Sequence, residues 1–306
     1  MSNILITGAT GFVGRALAAA LAAQGHDVRA VVRRGGVNIA GMEMVVMPDL
    51  LDETCWLPLL TGIDIVIHLA ALSHTSGKSE ADYDRINRQL TETLIGASRS
   101  SGIARFIFIS SVRAQSGPSA DRRLTERDAP QPTDAYGRSK LAAEEALQRS
   151  SLPFTILRPV LVYGPQPKGN LRLLLQLARS PLPLPFANAT QPRSLLAIDN
   201  LISAIVHCFT TSTMIGEVFL VADRETTSLF DIVATWRSTL GHTARLFPAP
   251  LNAVKSASRA IGQNDFYEKT FGALVVDTRK LMTTGWRPKI STPDGLTAML
   301  AQNKKL

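Results

Sequence analysis

Residues 3–14 read Asn3-Ile4-Leu5-Ile6-Thr7-Gly8-Ala9-Thr10-Gly11-Phe12-Val13-Gly14, a short apolar run that ends in spaced glycines and opens an alanine-rich stretch. Apolar runs of this length suit strands buried on both faces, and the alanines that follow favour a helix. Gly8 lets the chain turn sharply, Gly11 lets the backbone approach a pyrophosphate, and Gly14 lets the helix pack close to the sheet. The helix N-terminus then offers free N–H groups and a positive dipole end to the phosphates. Three glycines alone are weak evidence; between a strand and a helix they predict dinucleotide binding rather than a purely structural turn.

The same alternation continues through the chain. Strand-like runs lie near 3–7, 27–32, 43–47, 64–68, 104–109, 154–158 and 216–221, with helix-like stretches near 12–24, 80–100, 134–150 and 199–210. This predicts an α/β fold, a doubly wound Rossmann-type parallel sheet with helices on both faces. Pro165, Pro167, Pro181, Pro183, Pro185 and Pro192 break up a leucine-rich stretch, which predicts a helix framed by loops in a smaller C-terminal substrate lobe. The expected division is a dinucleotide-binding domain over 1–165, rejoined by 193–221, and a substrate lobe over 166–192 and 222–306.

With 306 residues, 45% hydrophobic and 19% charged, the chain can bury a substantial core, and neither disorder nor a collagen-like repeat fits. Its net charge of +8 admits nucleic acid, an anionic membrane surface or phosphorylated small molecules as partners. The basic residues are scattered rather than grouped in a stripe with interleaved aromatics, so a nucleic-acid module ranks last. No apolar run reaches the roughly 18 residues of a spanning helix, and the N-terminus carries no signal-peptide pattern. Cys55 and Cys208 are the only cysteines and lack metal-ligand spacing. The expectation is a cytoplasmic protein with no metal site and no integral membrane segment.

After the second strand the chain reads Val28-Arg29-Ala30-Val31-Val32-Arg33-Arg34-Gly35. A carboxylate there would bind the ribose 2′-hydroxyl of NAD, whereas guanidinium groups at Arg33 and Arg34 suit a 2′-phosphate. NADP(H) is therefore favoured over NAD(H), with a solvated basic turn as the plainer alternative. Farther on, Tyr136-Gly137-Arg138-Ser139-Lys140 puts a phenol and an ammonium at i and i+4 on one helix face. A phenol with a pKa of about 10 shuttles protons poorly at neutral pH unless a cation stabilises its phenolate, a task Lys140 can perform. Upstream, Phe106-Ile107-Phe108-Ile109-Ser110-Ser111 ends a buried strand in two hydroxyls at the carboxyl edge, where such sheets bind ligands.

These features, with Asp49-Leu50, His68-Leu69-Ala70-Ala71, Asn87 and Arg158-Pro159-Val160-Leu161-Val162-Tyr163-Gly164-Pro165, resemble the extended short-chain dehydrogenase/reductases over nearly the whole chain. The resemblance implies that Asp49 contacts the adenine amino group, that Leu69, Ala70 and Ala71 border the cofactor, and that Pro159 and Val162 lie along the nicotinamide. Phe12, Val13, Leu50 and Asn87 join Gly8, Gly11, Gly14, Arg33, Arg34, Tyr136 and Lys140 in the implied cofactor set. Ser111 matches the catalytic hydroxyl, 25 residues before Tyr136 as in sugar-nucleotide epimerases, and Ser110 supports it.

Among such enzymes a 4,6-dehydratase has Asp-Glu after the catalytic hydroxyl; Val112-Arg113 follows Ser111 here, which disfavours dehydration. Two readings remain: an NADPH-dependent 4-ketoreductase acting on a UDP-4-keto-6-deoxy-N-acetylhexosamine, and a UDP-sugar 4-epimerase that keeps NAD bound. Arg33-Arg34 favours the first, and the segments around Tyr163 and Arg193 look like bacterial surface-polysaccharide enzymes. The resemblance implies substrate contacts from His74, Ser111, Arg113, Tyr163, Asn170, Phe186 and Arg193, with Arg193 on the diphosphate. It also implies a homodimer through the helices near 80–100 and 134–150. A rival of another class, a non-catalytic NADP(H)-sensing protein, would be marked by loss of Ser, Tyr or Lys at the motif positions, and all three are present.

Overall fold

A computed structural model describes residues 1–36, 38, 39, 41–47, 49–73, 77–167, 169–260 and 264–303. Seven parallel strands form its central sheet: β1 (Asn3–Thr7), β2 (Asp27–Val32), β3 (Met42–Val46), β4 (Ile65–His68), β5 (Arg105–Ile109), β6 (Phe154–Pro159) and, after two strands outside this sheet, β9 (Glu217–Val221). Their order is β3-β2-β1-β4-β5-β6-β9, a doubly wound Rossmann-like sheet whose direction of winding reverses between β1 and β4. Each strand expected from an apolar run is present, because only such runs satisfy a sheet covered on both faces.

Side-chain alternation distributes each strand between two cores. In β1, Ile4 and Ile6 face the core shared with α1 (Phe12–Ala23), while Leu5 faces the opposite one. That second core is closed by α2 (Trp56–Leu60), then by the helical run α3 (Glu80–Tyr83) through α4 (Leu90–Ser100), and by α5 (Ala135–Gln148). The uninterrupted helix expected over 80–100 instead contains a π-helical stretch, Asp84–Gln89. Its physical reason is Asn87, whose side chain is drawn into hydrogen bonds with the Leu72 backbone.

The proline-bounded leucines form α6 (Gly169–Arg179). A small second sheet joins β7 (Leu161–Tyr163), β8 (Arg193–Ala197) and β10 (Thr226–Thr227) in the order β10-β8-β7. β8 links the cores, with Leu196 turned to the α1 side and Leu195 and Ala197 to a third core. Helix α7 (Ile198–Thr210) continues from it onto α1, and α8 (Leu229–Thr239) supplies Trp236 to the third core. The remaining helices are α9 (Leu251–Ala260), α10 (Asn264–Phe271), α11 (Arg279–Thr283) and α12 (Thr292–Gln302). No described helix is long and apolar enough to cross a membrane.

Candidate active site

The loops after β1 and β4 meet at the reversal point of the sheet. Gly8 has φ +75°, and a Cβ there would lie 2.7 Å from the Ala70 nitrogen. A Cβ on Gly14 would lie 2.2 Å from the Gly8 carbonyl oxygen, so the turn closes on backbone that no side chain can displace. Gly11 donates its N–H to that carbonyl at 3.0 Å and serves as N-cap of α1 without any side-chain cap, which leaves the first helical N–H groups directed outward. A pyrophosphate fits this cradle. Phe12 and Val13 pack on the first core, and a Cβ on Gly164 would approach the Phe12 ring at 3.3 Å, so the segment after Pro159 and Val162 returns to the turn.

At the far end of the cradle Arg33 and Arg34 are exposed, Asp49 is exposed with one oxygen taking the Leu51 N–H at 2.9 Å, and Leu50 is half-buried. Asn87 is buried in the π-helical stretch. Its amide oxygen accepts from the Leu72 N–H at 2.7 Å, and its nitrogen donates to the Leu72 carbonyl at 3.1 Å and to Ser139 Oγ at 2.9 Å. It thereby clamps the Leu69-Ala70-Ala71 edge to the helix that carries Tyr136. His68 is a packed residue: it bonds Thr7 at 2.7 Å and Thr91 at 3.0 Å, and burial, reinforced by the charge of Lys140, holds its imidazole down at about 3.

The acid–base group forms where α5 passes the end of β5. Asp134 caps α5 by accepting the Gly137 N–H at 2.7 Å, and this starts the helix so that Tyr136 and Lys140 share a face. Burial pushes the Tyr136 phenol up to about 12, opposed by a hydrogen bond with Ser111. Lys140 is 1% exposed; its ammonium donates to the Ile109 carbonyl at 2.7 Å and sits 4.0 Å from the centre of the Phe108 ring. Burial brings it down to about 7, with Glu144 opposing that fall. Hydroxyl and phenol therefore meet at the carboxyl edge of the sheet, the phenol on the helix that also carries the Lys140 amine, an arrangement able to move a proton at a substrate oxygen.

Sequence reading missed what supports this group. Glu144, fully buried one turn beyond Lys140, accepts from Ser110 and is gripped by Arg158 through Nε at 3.0 Å to each oxygen. Arg158 also reaches Gln115 at 3.0 Å. The available signal was periodicity: positions 136, 140 and 144 share a helix face, and an acid on a buried face needs a partner. Gly137 was missed too. A Cβ there would lie 2.3 Å from the Arg113 carbonyl oxygen, so α5 rests directly on the turn after Ser111. Gly137→Ala is expected to cost about 1–3 kcal/mol of stability by overpacking against backbone and to lower turnover by displacing Tyr136. Urea unfolding with parallel rate measurements checks this, and an unchanged midpoint would contradict it.

The residues expected on the substrate are dispersed. Ser111 and Arg113 lie at the acid–base group, Arg113 being paired with Asp134 at 2.5 Å. Arg193 spends its Nη groups inside the protein, on the carbonyls of Glu268 and Pro118 at 3.2 Å each and on that of Gly272. Tyr163 is buried, its hydroxyl donating to Asp223 at 2.9 Å, and burial beside that carboxylate raises its pKa. Phe186 packs in the third core against Phe271, and Asn170 is exposed on the first turn of α6. His74 lies outside the described residues. Among the described members of this set, Ser111 and Arg113 act directly on Tyr136, one by a hydrogen bond and the other by its charge.

Residues 4–222 match the model of a family described as "NAD dependent epimerase/dehydratase family". The chain is 32% identical over 304 residues to a UDP-glucose 4-epimerase of Vibrio cholerae, covering 96% of this chain and 93% of that one. It is 29% identical to a ceramide reductase of Caulobacter vibrioides, over 93% of this chain and 86% of the relative. Among solved structures it is similar to a UDP-glucuronic acid 4-epimerase from Bacillus cereus in complex with NAD, with a TM-score of 0.77, 26% identity and 98% coverage of both chains.

Proposed function

Because the chain belongs to the NAD-dependent epimerase/dehydratase family, as an enzyme of the extended short-chain dehydrogenase/reductase type, we propose that it inverts carbon 4 of a UDP-hexose. The observation that supports this most is the match to the Vibrio cholerae UDP-glucose 4-epimerase along 96% of the chain. The dinucleotide, when bound, supplies an acceptor and then a donor of hydride. Tyr136, as its phenolate, would take the proton of the carbon-4 hydroxyl when that carbon is oxidised and would return it to the same oxygen when the carbon is reduced. Ser111 hydrogen-bonds the same oxygen, and Lys140 stabilises the phenolate.

A second reading, NADPH-dependent reduction of a UDP-4-keto-6-deoxy-N-acetylhexosamine, is favoured by one observation: two exposed arginines follow β2 where NAD sites usually place a carboxylate. One assay separates the two. Incubation with UDP-glucose or UDP-N-acetylglucosamine is expected to yield the 4-epimer with no net change in reduced cofactor. Stoichiometric NADPH oxidation by the 4-keto sugar, without epimer formation, would replace that reading by the reductase.

A further inference from the structure

Beyond the charge it presents to Tyr136, Arg113 carries donors that the proton chemistry does not use. It belongs to the 3-10 turn Val112–Ala114 directly after Ser111, its backbone N–H donates to Ser111 Oγ at 3.1 Å, and Nη2 meets Asp134 at 2.5 Å. The residue is 7% exposed, yet Nε and Nη1 are buried and have no hydrogen-bond partner among the described residues. Unspent donors of a charged group removed from water are destabilising, so they mark a place where something else supplies acceptors.

The charge around Arg113 narrows what that something is. Arg193 lies close enough that burial and the Arg113 charge together hold its guanidinium down at about 10. Its Nη groups are committed to backbone carbonyls, so it contributes positive charge. The Glu268 carboxylate near it is shared with Ser119 at 2.7 Å and Lys255 at 3.7 Å. Asp134 is the carboxylate bonded to Arg113 and also caps α5. Two guanidinium groups, that of Arg113 buried and that of Arg193 half-buried, thus stand against one directly bonded carboxylate. A neutral acceptor would satisfy the N–H groups and leave the excess charge, whereas an anionic oxygen satisfies both.

We propose that Arg113 forms an anion subsite beside Ser111 and Tyr136, and that the substrate presents to its Nε and Nη1 an anionic oxygen group, either a carboxylate on the sugar or the sugar-linked phosphate. The proposal rests on the carbon-4 reading, since Ser111 and Tyr136 define which part of the substrate lies next to Arg113. A merely bracing role, in which Arg113 only ties the Ser111 turn to the cap of α5, is the competing account.

The experiment is titration calorimetry of the NAD-loaded protein with UDP, UDP-glucose and UDP-glucuronate, for wild type, R113Q and R113K. If the group is a sugar carboxylate, wild type binds UDP-glucuronate at least tenfold more tightly than UDP-glucose. R113Q then abolishes that preference while UDP binds within twofold of wild type. If it is the phosphate, R113Q weakens all three ligands at least tenfold. In either case R113K, which keeps the charge, retains part of the effect; should R113Q not fold, the partial loss in R113K carries the test. Equal binding of all three ligands by wild type and the variants overturns the subsite and leaves the bracing role. Wild type that binds none of the three would overturn the nucleotide-sugar reading and the subsite with it.

Discussion

Tyr136→Phe is expected to lower turnover about 1000-fold while leaving folding and cofactor affinity near wild type, because it removes the proton carrier and its hydrogen bond with Ser111 but keeps the ring. The phenol ring meets Tyr83 edge-on at 6.2 Å between centroids, a contact that Phe keeps. Ser111 keeps its turn, since its Oγ still accepts the Arg113 N–H at 3.1 Å. The glycine cradle that would hold the pyrophosphate lies on β1 and α1, away from the altered atom. Initial rates of epimer formation and fluorescence titration with the dinucleotide check both halves of the expectation. A Phe variant that retains more than about one tenth of the rate would remove Tyr136 from its role, since general acid–base groups contribute on the order of 100-fold or more.

The fold was legible where local pattern and tertiary demand coincide. The apolar runs of β1, β4 and β5 have no other use than a sheet covered on both faces, and the glycines of the first turn sit where a Cβ would strike backbone. Short strands such as β7 and β10, three and two residues long, carry too little periodicity to be read and exist because β8 lies between them. The π-helical stretch at Asp84–Gln89 is likewise a tertiary effect, since Asn87 reaches for the backbone of Leu72 across 15 positions of sequence. In the site, Tyr136 and Lys140 announce themselves by helical spacing, whereas the Glu144–Arg158 pair joins α5 to β6 and only the fold brings it together. Tyr163 and Phe186 show the converse. A family resemblance placed them on the substrate, and the structure gives the hydroxyl of one to Asp223 and the ring of the other to the third core.

Lys140→Met is expected to lower turnover at neutral pH about 100-fold and to move the acid limb of the rate profile to higher pH. Burial brings the amine down to about 7 and pushes the phenol up to about 12, so across that interval the phenol keeps its proton and the amine is neutral until a substrate draws charge to the site. Methionine fills a similar volume but cannot share the proton, so phenolate must then form unaided. A second readout follows from folding. Burial sets the Lys140 pKa below its ordinary value of 10.5, and in the window between about 7 and that value the unfolded chain holds a proton the folded protein lacks. Wild-type stability should therefore rise with pH through this window, the burial penalty being fully present below it. Tyr136 acts with the opposite sign only above its ordinary value of 10.0, because its folded pKa is raised and its contribution is lost as pH climbs from there. Urea unfolding of wild type and K140M near pH 7 and near pH 9.5 isolates the lysine contribution, and equal pH slopes in the two proteins would refute it.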